Sequence, residues 1–74
     1  MIKVLSTGCP ACKILETKLN NANIKYKIEN DEDKILSYGV QTVPVIVEED
    51  GNLVNFGEAV QLLNTAEGIQ RLGG

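Results

Sequence analysis

Cys9-Pro10-Ala11-Cys12 follows the apolar run Ile2-Lys3-Val4-Leu5 and opens a segment with helical periodicity. Two cysteines three positions apart, where a strand hands over to a helix, constrain this chain more than any other feature. They can close a disulfide and open it again with little backbone movement. The helix N-terminus beside them favours negative charge, and so favours a thiolate over a thiol. Pro10 suits the first helical position, where its missing N–H costs nothing.

The rest of the chain divides into short elements of alternating period. Ala11, Leu15, Leu19 and Ala22 share one face, with Ile14 beside them, and predict a helix over Pro10–Ala22. Lys13, Glu16, Lys18 and Asn20 read as its solvated side, and Asn20-Asn21-Ala22-Asn23 as its end. Ile24 to Glu29 alternates apolar and polar with period two, the pattern of a half-buried strand. Strand, helix and strand form a βαβ unit, a parallel pair with a right-handed crossover. Asp31 to Tyr38 reads as a short helix with Ile35 and Leu36 inward and Gly39 as its stop. Val43 to Val47 is an apolar strand with Pro44 near its start, because proline cannot donate to a ladder. Asp50-Gly51 marks a hairpin turn, and Leu53 to Phe56 the return strand. Gly57 breaks the pattern. A helix from Glu58 follows, with Ala59, Val60, Leu62, Leu63 and Ala66 inward, weakened or ended at Gly68. Ile69 to Gly74 is left as a candidate disordered tail of a single α/β domain spanning residues 1–74.

Composition narrows the function classes. Seventy-four residues make one small domain, near the lower size at which a single core is stable. The net charge of −3 comes with no basic run, so nothing marks a nucleic-acid footprint. No apolar stretch approaches the ~20 residues that cross a bilayer. Met1 to Leu5 lacks a signal-peptide apolar region and cleavage site, so the expected compartment is the cytoplasm. In that reducing setting a lone cysteine pair serves catalysis or metal binding more often than it serves as a static staple. A zinc site needs four ligands, and two cysteines without histidine fill one only in a dimer sharing the metal; no metal is expected.

Three motifs then converge. Cys9-Pro10-Ala11-Cys12 after the first strand, Thr42-Val43-Pro44 about thirty residues further on, and Gly57 before the last helix resemble the thioredoxin superfamily. The resemblance covers nearly the whole chain and is strongest to the glutaredoxins and glutaredoxin-like thioredoxins. It implies a minimal thioredoxin fold, βαβαββα, with a four-stranded mixed sheet in the order 2-1-3-4. It implies a thiol–disulfide oxidoreductase, a small monomeric electron carrier that reduces protein disulfides.

Cys9 precedes the helix and is expected to be the more exposed sulfur and the nucleophile. Cys12, one turn in, is the resolving thiol that expels the reduced substrate. No base for Cys12 stands out, since the chain has no histidine and its first strand carries only Lys3. The resemblance further implies a cis bond before Pro44, which would turn the Val43 backbone toward the cysteines to pair with an extended substrate. Thr42, Gly57 and Glu58 complete the implied substrate site. The family draws electrons from glutathione or from a flavoprotein reductase, with no bound cofactor beyond the redox-active disulfide. Only one glycine of the usual pair stands before Glu58, and Gln41 replaces the cation that often grips glutathione, which favours the flavoprotein. Ribonucleotide reductase is a natural client for such carriers. Some relatives instead hold an iron–sulfur cluster between two monomers, and the small Ala11 leaves room for one.

Overall fold

A computed structural model describes residues 1–73. The elements are β1 (Ile2–Leu5), α1 (Pro10–Asn21), β2 (Tyr26–Glu29), α2 (Glu32–Ser37), β3 (Val45–Val47), β4 (Leu53–Asn55), α3 (Phe56–Leu63) and α4 (Ala66–Arg71). The sheet is four-stranded and mixed, in the order β2-β1-β3-β4. β1 pairs with β2 in parallel and with β3 antiparallel, and β3 pairs with β4 antiparallel. This is the minimal thioredoxin fold, with four helices where three were expected.

Strand alternation sorts the core into two layers. Ile2, Val4, Ile46 and Val54 face α1, α3 and α4, where they meet Leu15, Leu19, Ala59 and Leu72. Leu5, Val45 and Val47 face the other way, against Ile35 of α2, with Tyr38, Val40 and Val43 around them. β3 is apolar throughout because both its faces are covered. Lys3 belongs to this second face and is half-buried, its ammonium 3.4 Å from the Tyr38 hydroxyl rather than at a solvated strand end.

Several boundaries differ from the sequence reading, each for a local reason. α1 ends in a Schellman motif. Asn23 takes φ +58, its N–H bonds the Asn20 carbonyl, and the Ile24 N–H bonds the Leu19 carbonyl. Ile24 therefore packs on Leu19 in the core while its N–H closes the helix, and β2 starts only at Tyr26. Ile28 is 45% exposed because β2 is an edge strand, and Leu36 is 65% exposed because α2 turns only Ile35 inward. Ile14 likewise points to solvent. β3 begins after Pro44 rather than at Val43.

The C-terminal segment departs most. α3 starts at Phe56, because the Asn55 side chain caps it by accepting the Glu58 N–H at 2.8 Å. Gly57 and Glu58 are thus first-turn residues rather than a break. Asn64 ends α3, and the Thr65 hydroxyl accepts the Gly68 N–H at 2.9 Å to start α4. Gly68 lies buried inside α4 with no room for a Cβ, which would overlap the Leu62 backbone. Leu72 is 1% exposed in the main core, so residues 69–73 are folded and packed rather than a tail; Gly74 lies outside the described residues. Ala66, expected inward, is exposed.

Candidate active site

One row across the sheet gathers the site. Leu5 pairs with Glu29 and with Val45, and Val45 pairs with Asn55. The chain leaves β1 into Ser6–Cys12, enters β3 from Thr42–Pro44, and leaves β4 into Gly57 and Glu58, all at one end of the sheet. The fold thus brings the expected residues to one end of the sheet, although they come from three stretches of the chain.

Cys9 and Cys12 form a disulfide with their Cα atoms 5.0 Å apart. Cys9 is the N-cap of α1 (φ −64°, ψ 163°); its Sγ accepts the Cys12 N–H at 3.2 Å, and its carbonyl accepts the Lys13 N–H at 3.0 Å. An N-cap normally offers an oxygen to the unpaired amides of the first turn, and here a sulfur takes that place. Cys9 is partly exposed and Cys12 is fully buried.

The loop before Cys9 has its own support. Gly8 takes φ +81, a region that side-chain-bearing residues rarely adopt. Its N–H bonds the Ser6 hydroxyl at 3.3 Å, and that hydroxyl donates to Glu16 Oε2 at 3.1 Å. The Ser6 N–H bonds the Glu29 carbonyl at 3.0 Å, extending the sheet by one residue. Ser6 is 2% exposed. Ser6 did not figure in the sequence reading, and Glu16, expected on the solvated side of α1, is instead partly buried against it. The signal for Glu16 lay in its spacing: residues 12, 16 and 19 fall on one helical face, so a carboxylate interrupts an otherwise apolar stripe.

The Val43–Pro44 bond is cis, and Pro44 is buried. Among the described residues, none donates a hydrogen bond to the Val43 carbonyl or accepts one from its N–H. A shallow groove of about 220 Å³ runs beside it, lined by Thr7, Glu32, Ile35, Leu36, Val40, Gln41, Thr42 and Val43. Thr42 and Val43 therefore share a surface with Thr7 from the cysteine loop. Gly57 and Glu58 stand at the same end of the sheet but do not line this groove. Among the described residues, no three histidine, cysteine or acidic side chains gather as a metal site. No helix is long and apolar enough to cross a membrane.

A hollow of about 340 Å³ lies at the other end of the sheet, between Ile2, the β3–β4 turn and the end of α4. There Arg71 grips Glu48 with two hydrogen bonds, Nη2 to Oε1 at 2.7 Å and Nε to Oε2 at 3.2 Å. This guanidinium fork, helped by the Asn52 side chain and opposed by partial burial, holds the Glu48 carboxyl below its usual range. The hollow lies at the opposite end of the sheet from the cysteines.

A family model described as a thioredoxin domain matches residues 1–69. With the fold and the cysteine pair at the head of α1, the match places the chain in the thioredoxin-domain family. No curated protein and no solved structure gives a significant match. Family and geometry together support a thiol–disulfide redox role.

Proposed function

We propose that the protein is a small dithiol carrier that reduces protein disulfides through Cys9 and Cys12. The observation that carries this is the N-capping sulfur: the amide that bonds Cys9 Sγ in the disulfide is positioned to stabilise a Cys9 thiolate in the reduced form. In the reaction, the Cys9 thiolate attacks the client disulfide and forms a mixed disulfide, and one client sulfur leaves with the electron pair. Cys12 then attacks Cys9 Sγ, the second client sulfur leaves, and the ring closes. The client is reduced by two electrons and the dithiol is oxidised by two. The open Val43 backbone, held at the groove by Pro44, offers a strand-like partner to an extended client segment, with Thr42 in the groove wall and Gly57 and Glu58 at the far side of the site.

The donor that returns those electrons is a flavoprotein reductase in preference to glutathione. The groove beside Val43 contains Glu32 and no lysine or arginine, so it repels rather than grips the two carboxylates of glutathione. The carrier works as a monomer in the cytoplasm, and ribonucleotide reductase is a fitting client.

The test compares donors side by side. The oxidised protein is incubated with a disulfide-bonded client and either NADPH with a thioredoxin-reductase-type flavoprotein or reduced glutathione. Turnover with the flavoprotein and little with glutathione is expected. Efficient glutathione-driven turnover alone would make the protein a true glutaredoxin, and visible absorbance after anaerobic purification would point to an iron–sulfur dimer.

A further inference from the structure

We propose that Glu16, held by the buried Ser6, accepts the proton of Cys12 as that thiol resolves the mixed disulfide. This rests on the dithiol reading above. Cys12 is fully buried, so its thiol has no direct route to bulk water for its proton, and a buried thiol resists ionising on its own. Glu16 lies one helical turn after it. Residues four apart on a helix are neighbours, and helical side chains lean toward the N-terminus, so the Glu16 side chain lies over the turn that carries Cys12.

Its hydrogen bond fixes the direction. Glu16 Oε2 is anchored on the hydroxyl of Ser6, at the site end of β1 and beside the Cys9 loop. Ser6 is the one buried polar side chain among the described residues, and its hydroxyl is committed on both sides, to Gly8 and to Glu16. Glu16 Oε1 carries no hydrogen bond among the described residues and is free to take a proton.

Few charges compete. The strand register puts Val4 and Ile28 on the face toward α1, with Lys3, Lys27 and Glu29 on the other side of the sheet. On α1 itself Lys13 is three positions away and exposed, and Lys18 lies toward the far end. α3, which also packs on α1, offers only Glu58 in its first turn.

The step balances as follows. The Cys12 S–H bond breaks, and its proton passes to Glu16. The thiolate electron pair forms the Cys12–Cys9 bond, and the Cys9–client bond breaks with its pair on the client sulfur. Glu16 then returns the proton to that leaving thiolate.

The experiment reacts the reduced protein with 5,5′-dithiobis(2-nitrobenzoate). Attack by Cys9 releases a first equivalent of thionitrobenzoate, and resolution by Cys12 releases a second. Thionitrobenzoate needs no proton to leave, so the second phase reports loss of the Cys12 proton. In Glu16→Gln the first phase should stay within about twofold of wild type, while the second should slow about a hundredfold at neutral pH, the lower end for loss of a general base. The deficit should fade only as the pH rises above the ordinary thiol value of about 8.5, and later than for an exposed thiol, because Cys12 is buried. Glu16→Asp should recover part of the rate. The wild type itself should hold a flat second-phase rate below that pH, where unassisted ionisation predicts a tenfold fall per unit.

An unaltered second phase in Glu16→Gln, a parallel loss in both phases at every pH, or a wild-type rate falling tenfold per unit would each overturn the proposal. Release of only one equivalent by the wild type would instead overturn the dithiol reading, and this proposal with it.

Discussion

Cys9 and Cys12 differ in surroundings, so they should differ in reactivity. Cys9 is partly exposed, with an amide aimed at its sulfur, whereas Cys12 is fully buried. Alkylation of the reduced protein at neutral pH should label Cys9 first by mass spectrometry, and Cys12→Ser should accumulate mixed disulfides through Cys9. Faster labelling of Cys12 would reverse the roles. Gly68 makes a different kind of prediction. Its missing Cβ lets α4 lie on the Leu62 backbone, which cannot rotate away as a side chain would. Gly68→Ala should destabilise by about 3 kcal/mol, the upper end for overpacking. In a domain of this size that lowers Tm by more than about 10 °C, readable by thermal unfolding. The cysteine pair was legible in the sequence because few other chemistries need two thiols at that spacing. Ser6 and Glu16 were not, since their partnership joins a strand end to a helix face and exists only after docking. Gly68 looked like a helix terminator, because sequence shows that a glycine lacks a side chain but not what occupies the space.

At the scale of elements, periodicity gave the order and type of every strand and of the first three helices, but not which residues end them. A boundary is decided by where one hydrogen bond goes. Ile24 alternates correctly for β2, yet its N–H closes α1 through Leu19. Asn23 holds the left-handed conformation that this closure requires. Asn23→Gly should therefore stabilise the protein by up to about 1 kcal/mol, seen as a higher denaturant midpoint at unchanged slope. A loss of stability would mean that the Asn23 side chain does more than tolerate its φ. Alternation also named the inward side of β2 and α2 without showing how far the next layer reaches, which is why Ile28 and Leu36 face solvent. The exposed Leu36 lines the groove beside Val43, so an element that looked imperfectly packed supplies part of the candidate docking surface.

At the scale of the whole molecule, the C-terminal segment carries more of the fold than its sequence suggests. Leu72 enters the main core, and Arg71 clamps the β3–β4 turn through Glu48. A carboxyl held below its ordinary value in the folded state adds stability above the unfolded value, near pH 4.5, and loses it as the pH falls through the folded value. Arg71→Leu should therefore flatten the fall of Tm below about pH 4.5 relative to wild type, and leave alkylation of Cys9 unchanged. An identical acid limb in both proteins would show that the clamp does not persist in solution. Finally, the disulfide joins residues only three apart and closes a very short chain loop, so it restrains the unfolded chain less than a long-range bridge would. Both redox forms should thus be folded at 25 °C, and circular dichroism of the reduced form checks this; an unfolded reduced form would contradict it. A closed thermodynamic cycle then links heat to voltage. The difference in unfolding free energy between the two forms equals the difference in redox free energy between the folded and unfolded chain. Two melting curves thereby report how far folding displaces the electrode potential of this ring from that of the same four residues in an unstructured peptide.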